Sequence, residues 1–204
     1  MNDKVKIAVL VSGGGTNLQA IIDYEKAGKL QEGELVKVIS SKNGAYALTR
    51  AENAGIEGVV VQRKGATQKD FEAGIIKELE ECNAEVIVLA GFMCILSKDF
   101  TDRYKNRIIN VHPALIPSFC GEGFYGLKVH EKALEYGVKV TGATVHFVNE
   151  IADGGKIIMQ KAVNVLENDT PEILQKRVME EAEWKILPES LKKVCQMIQK
   201  GEIK

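Results

Sequence analysis

The sequence predicts one α/β domain with a mostly parallel central sheet flanked by helices. Three observations carry that reading. Short continuous apolar runs at residues 6–11 (Lys-Ile-Ala-Val-Leu-Val) and 85–90 (Glu-Val-Ile-Val-Leu-Ala) have the pattern of strands buried on both faces. Between such runs the apolar residues recur at helical spacing, so strands and helices alternate as βα units. A chain of 204 residues, 45% hydrophobic and 27% charged, suits a single domain whose core needs no disulfide or metal staples.

The first run ends in Ser12-Gly13-Gly14-Gly15-Thr16-Asn17, and Leu18, Ile21 and Ile22 then open a helix. Strand, glycine turn and helix place backbone N–H groups and a positive helix end against an anion, with phosphate the expected guest. Tight packing alone is the competing use of such glycines. No Gly-Lys-Ser/Thr follows, as a Walker A loop requires, and Leu18 stands where a dinucleotide fingerprint needs glycine. The next strand, residues 35–39, runs into Ser40-Ser41 and not into an acidic residue that would hold a ribose diol. A mononucleotide-like phosphate therefore fits better than NAD or ATP.

The rhythm continues with a helix at 45–54 closed by Gly55 and a strand at 58–61. Thr67 caps a helix to about Glu81, with Phe71, Ile75, Ile76 and Leu79 as its apolar face. After the strand at 85–90, Gly91-Phe92-Met93-Cys94-Ile95-Leu96 is apolar where a connection is expected. Connections are usually polar and exposed, so this one lines a pocket for a flat aromatic ligand or packs into the core. Ser97 caps a short helix through Tyr104.

The strand at 107–111 delivers Asn110 and His112, which share a direction because side chains alternate along a strand. Pro113 ends the regular ladder, so the pair is presented at a strand's carboxyl end, where open α/β sheets bind ligands. The residues 118–126, with three glycines among aromatics, form a loop over the site. A helix at 129–136 ends at Gly137. The strand at 141–148 sets Ala143, Val145 and Phe147 on one face and Thr144 and His146 on the other. A turn at 149–155 begins a hairpin completed by the strand at 156–163. Thr170 and Pro171 start a helical region that runs to the C-terminus, interrupted near Pro188.

A formal net charge of −1 gives no electrostatic reason to expect nucleic acid or an acidic membrane as partner. No apolar run approaches the roughly 18 residues of a membrane span. Cys82, Cys94, Cys120 and Cys195 have no metal-ligand spacing, and no cleavable leader is seen, so free thiols in a reducing cytoplasm are expected.

Among three histidines, His112 is the candidate for acid/base work, with His130 and His146 assigned structural or supporting roles. Asp153, in a Gly-Gly turn after a strand, can reach the same edge. A carboxylate there is expected to raise the His112 pKa and favour imidazolium, while Asn110 offers an uncharged donor. An ordinary turn aspartate is the competing reading, and proximity does not follow from spacing. Scattered histidines argue against a metal site. A Cys120 nucleophile with His112 as base is the rival chemistry.

Taken together, Val11 to Ile21, Leu89-Ala90-Gly91-Phe92-Met93, Ile109 to Pro117, and Val145-His146-Phe147-Val148 with Asp153-Gly154-Gly155 resemble the phosphoribosylglycinamide formyltransferase family. These are folate-dependent enzymes of purine biosynthesis, and the likeness covers nearly the whole chain. It implies a Rossmann-like formyltransferase fold over residues 1–204. The N-terminal half (about 1–100) would bind phosphate, and the C-terminal half (about 101–204) would hold folate and the catalytic groups. The implied activity moves a formyl group from 10-formyltetrahydrofolate to the amine of glycinamide ribonucleotide. Gly15, Thr16 and Asn17 would bind the phosphate and Glu183 the ribose. Met93, Cys94, Ile95 and Leu96, with Asn110, would bind folate.

In the same resemblance Asn110 and His112 stabilise the oxyanion, and Asp153 holds His112 protonated and helps pass a proton to the departing folate nitrogen. The implied co-substrate is 10-formyltetrahydrofolate, with no metal. The partners are small molecules, with neither nucleic acid nor membrane, in a cytoplasmic monomer or homodimer. Cys94 stands where relatives often carry arginine, and Lys128 where a loop histidine is frequent. Relatives also carry a ligand-holding basic residue near Gln68 and Lys69. Formyltetrahydrofolate hydrolysis is the nearest alternative, expected to need a further N-terminal domain. A non-catalytic nucleotide-binding module is a more distant one.

Overall fold

The computed structural model describes residues 4–203. Seven strands form one sheet: β1 (Val5–Val11), β2 (Gly33–Ser40), β3 (Glu57–Val60), β4 (Val86–Leu89), β5 (Ile108–His112), β6 (Val140–Phe147) and β7 (Ile157–Asn164). Their spatial order is β3-β2-β1-β4-β5-β6-β7. The first five are mutually parallel, and β6 and β7 are antiparallel additions. The α/β class and the late hairpin follow the sequence reading.

Helices α1 (Thr16–Lys26), α2 (Tyr46–Asn53), α3 (Gln68–Glu81), α4 (Lys98–Arg103), α5 (Leu127–Tyr136), α6 (Pro171–Val178) and α7 (Trp184–Gln199) flank the sheet. The central strand shows why its run is continuously apolar. Val5, Ile7, Val9 and Val11 pack with Leu18, Ile21 and Ile22 of α1 and with α6 and α7. Ala8 and Leu10 face the other layer, built on Phe71, Ile75 and Leu79 of α3 and Phe100 of α4. Both faces of β1 are thus withdrawn from water, as in parallel sheets generally.

Three details differ from expectation. On α3, Ile76 is only partly buried and Glu72 is buried instead, held by polar groups described below. On β6 the alternation persists, but both faces are buried, because the loop after β5 covers Thr144 and the turn carrying Asp153 meets His146. The C-terminal helical region is continuous through Pro188, and its irregularity is a π-helical turn at Met179–Glu183. A proline removes one helical bond and crowds the preceding turn; the wider π-turn just upstream carries that irregularity.

Strand order reverses direction between β1 and β4, the topological switch point of the sheet. A crevice opens there, outside the carboxyl ends of the strands.

Candidate active site

A cavity of about 820 Å³ occupies this crevice, lined by Asn17, Met93, Cys94, Ile95, Asn110, His112, His130, Asp153, Gln175, Met179 and Glu183 among others. Each loop that reaches it is fixed by its own polar contacts. In the first, Gly15 caps α1 with φ +72°, and a Cβ there would lie 2.6 Å from the Ala47 Cβ. Only glycine satisfies both demands. Ala47 N–H donates to the Gly13 carbonyl, and Arg50 Nε donates to that of Gly14. The first N–H groups of α1 have no intrahelical acceptor, since the helical bonds begin with Gln19 N–H to the Gly15 carbonyl.

The loop after β4 is anchored at both ends. Met93 N–H donates to Ser12 Oγ at 3.0 Å, and Ser12 Oγ is 2.7 Å from Ser41 Oγ. At the far end, the buried Glu72 carboxylate accepts from Ser97 N–H (2.6 Å), Ser97 Oγ (2.5 Å) and Gln68 Nε2 (2.6 Å). Gln68 Nε2 also donates to the Ile95 carbonyl, and Arg63 donates to Gln68 Oε1. Arg63 also donates to the Ala66 carbonyl, so it holds the start of α3 and does not line the cavity. Met93 and Ile95 are 55% and 75% exposed, an apolar wall open to the cavity. Leu96 is a correction: it is buried in the layer under α3 and does not line the cavity.

The polar cluster lies across β5 and β6. His112 Nε2–H donates to the Phe119 carbonyl at 2.8 Å, and Nδ1 faces Asp153 Oδ2 at 3.4 Å. Asp153 Oδ2 also accepts from Gly121 N–H at 2.9 Å. The Asp153 backbone is left-handed (φ 55°), and two residues on, a Cβ at Gly155 would sit 1.7 Å from the Phe147 carbonyl. The Asp-Gly-Gly turn therefore packs too closely against β6 to admit side chains at its end.

His146 was given only a supporting role in the sequence reading, yet it joins the cluster. It lies directly opposite Asn110 in the β5–β6 ladder. Its Nδ1–H donates to the Phe147 carbonyl at 2.8 Å, and its Nε2 lies 3.2 Å from Asn110 Nδ2. Asp153 Oδ1 is 3.5 Å from the same nitrogen. The cross-strand register is the signal that would have identified it.

The electrostatics correct one expectation. Burial holds the His112 pKa below its ordinary value, outweighing the upward pull of Asp153 and of the Phe119 carbonyl. Its Nε2–H is committed to the Phe119 carbonyl, so the ring gains or loses its second proton at Nδ1, the atom that faces Asp153. Burial pushes the Asp153 carboxyl up, but His146, Gly121 N–H and His112 outweigh it and hold the group below its usual range. Asp153 is a carboxylate.

On the opposite wall Asn17 Nδ2 donates to Glu183 Oε2 at 2.7 Å, while Asn17 Oδ1 is buried without a partner among the described residues. Burial raises Glu183 to about 7 against the lowering effect of Asn17. Glu183 and Met179 both belong to the π-turn, and such turns recur at functional sites. Gly15 and Thr16 do not line the cavity; Thr16 opens instead onto a hollow of about 390 Å³ bordered by Gln19, Asp23 and Arg50. Cys120 makes no hydrogen bond to His112 among the described residues. Its thiol donates to the Pro117 carbonyl, and burial, then Asp153, push its pKa up, away from a thiolate. Among the described residues no cluster of three or more His, Cys, Asp or Glu could hold a metal ion.

Comparison with known proteins matches this architecture. The chain is 45% identical over 202 residues to the trifunctional purine biosynthetic protein adenosine-3 of Gallus gallus, covering 98% of this chain and 19% of that protein. It thus spans about a fifth of the trifunctional relatives it matches. It is 41% identical to the phosphoribosylglycinamide formyltransferase of Haemophilus influenzae, over 90% of this chain and 84% of that one. Among solved structures, glycinamide ribonucleotide transformylase 1 of Symbiobacterium toebii superposes with a TM-score of 0.88 at 38% identity, covering 98% of this chain and 90% of that one. The formyl transferase family model matches residues 5–191. The chain belongs to the formyl transferase family.

Proposed function

We propose that the protein transfers the formyl group of 10-formyltetrahydrofolate to the amine of glycinamide ribonucleotide. The observation that carries this reading is the placement of the Asn110–His112–Asp153 cluster between an apolar wall and a helix N-terminus, around one cavity. The exposed Met93 and Ile95, with Cys94 between them, suit the flat ring of a reduced folate. The folate supplies the formyl carbon as electrophile. The N–H groups of Thr16 and Asn17, after the left-handed Gly15, suit the phosphate of the acceptor. Glu183 and the unpartnered Asn17 Oδ1 suit its ribose hydroxyls.

In the transfer, a bond forms from the amine nitrogen to the formyl carbon, and the bond from that carbon to folate N10 breaks. Asn110 Nδ2 has two hydrogens, one directed at His146; the other donates to the formyl oxygen as negative charge develops there. The His112 Nδ1 lone pair takes the proton from the attacking amine, through a water where the amine does not reach it. Asp153, on the Nδ1 side, stabilises the resulting imidazolium, which also attracts the developing oxyanion. His112 then returns the proton to N10. A His112 whose pKa burial holds down gives the proton up to N10 more readily than an unperturbed imidazole would.

The test is folate turnover with and without glycinamide ribonucleotide. Formyl transfer that requires the ribonucleotide supports the reading. Deformylation at the same rate in its absence would replace it with hydrolysis.

A further inference from the structure

His130 closes the first turn of α5 and is fully buried. Both of its ring nitrogens are buried without a hydrogen-bond partner among the described residues. A neutral imidazole always has one N–H donor and one lone-pair acceptor, so two needs go unmet at once. Buried unsatisfied polar atoms are rare in native proteins, and each costs about 1–3 kcal/mol. No structural contact explains retaining a histidine here when a phenylalanine would fill the same space without those unmet groups.

The side chain lines the catalytic cavity with His112 and Asp153. Its position within that cavity is also informative. Helix α5 packs on α6, whose Gln175 lines the same space, as does Met179 just beyond it. His130 shares this α5–α6 wall with Gln175 and with Met179, which lies in the same π-turn as Glu183. Under the proposed function that wall faces the acceptor, between the ribose and the amine. The chemical group at that point is an amide, whose N–H and C=O complement a lone pair and an N–H.

We propose that His130 is a further substrate-binding residue, whose imidazole hydrogen-bonds the amide of the acceptor and aligns its amine for attack. Burial, reinforced by His112, lowers the His130 pKa to about 4, so the ring keeps both donor and acceptor character at working pH.

The inference rests on the acceptor assignment, and the experiment separates the two. His130→Phe is compared with His130→Asn, which retains a donor and an acceptor. For His130→Phe the expected result is a 10- to 100-fold loss, to order of magnitude, in kcat/KM for glycinamide ribonucleotide. Affinity for the formyl folate should be unchanged and Tm equal or higher; His130→Asn should recover part of the loss. Wild-type kcat/KM in a folded His130→Phe variant would overturn the proposal. If that variant does not fold, the ¹⁵N shifts of the wild-type His130 ring on adding glycinamide ribonucleotide decide: a change supports the contact, and none overturns it. That titration requires binding but no turnover. Wild-type protein that binds the ribonucleotide without formylating it would refute the proposed function while leaving the His130 contact measurable.

Discussion

Glu183 and His130 line one cavity and are perturbed in opposite senses, which makes the pH dependence of stability a sensitive test of the site. Burial raises Glu183 from 4.5 to about 7. Between those values the folded protein binds a proton that the unfolded chain releases. Its contribution is complete below pH 4.5 and lost as pH rises through 7, about 3 kcal/mol in all at 1.36 kcal/mol per pKa unit. His130 is lowered from 6.5 to about 4. Its contribution is complete above pH 6.5 and lost as pH falls towards 4, again about 3 kcal/mol. His112, also held down by burial, acts in the same direction as His130. Replacing Glu183 by Gln keeps an acceptor for Asn17 Nδ2 and removes the proton site. The stability difference between Glu183→Gln and wild type should then grow by about 3 kcal/mol in favour of the variant from pH 4.5 to 7. Urea unfolding at fixed ionic strength measures it, and the difference cancels every group common to both proteins. Parallel stability curves would show that Glu183 titrates as an ordinary surface carboxyl, and the buried-acid reading of this wall would be wrong.

Asp153→Asn and His112→Ala should each lower kcat by about 10²–10⁴-fold, the usual contribution of a positioned proton carrier, with folate affinity and fold retained; steady-state kinetics with a folate-binding titration checks both, and full activity in either refutes the assigned chemistry. Cys120→Ala should turn over like wild type, and an inactive variant would restore the thiol as nucleophile. Glu72→Ala strips the Ser97 N–H and hydroxyl of their acceptor, so it should cost about 1–3 kcal/mol by denaturant unfolding. It should also raise KM for the formyl folate more than KM for the acceptor, because Glu72 fixes the loop that carries Met93 and Ile95.

The parts of the fold legible in the sequence were those dictated by local periodicity and turn chemistry. Buried parallel strands read as apolar runs, and Thr67, Ser97 and Thr170 each accept a backbone N–H at the helix starts they mark. Asn110, His112 and Asp153 were legible as residue types at strand ends. Their meeting depends on register and turn geometry: Asn110 sits opposite His146, and the hairpin turn returns Asp153 to within 3.4 Å of His112. Pairings of that range carry no local signature, which is why His146 read as a supporting residue. The His112 pKa failed for a related reason. A carboxylate able to approach can be nominated from the sequence, whereas burial, the larger influence here, is a property of the whole packed loop.

The π-turn at Met179–Glu183 was the least legible feature. Its sequence, Met-Glu-Glu-Ala-Glu, has ordinary helical composition, and the only visible warning was Pro188, five residues beyond. A proline announces that a helix will be irregular but not where the irregularity will fall. In this protein it falls on the wall of the catalytic cavity. One turn widens there, and Met179 and Glu183 both face the cavity, with Glu183 against Asn17 of the glycine loop. The bond from Asn17 to Glu183 joins residues 166 positions apart and ties the start of α1 to the C-terminal helices. Under the proposed function, packing of those helices therefore helps to set the distance between the acceptor's two ends, its phosphate at α1 and its amine beside His112.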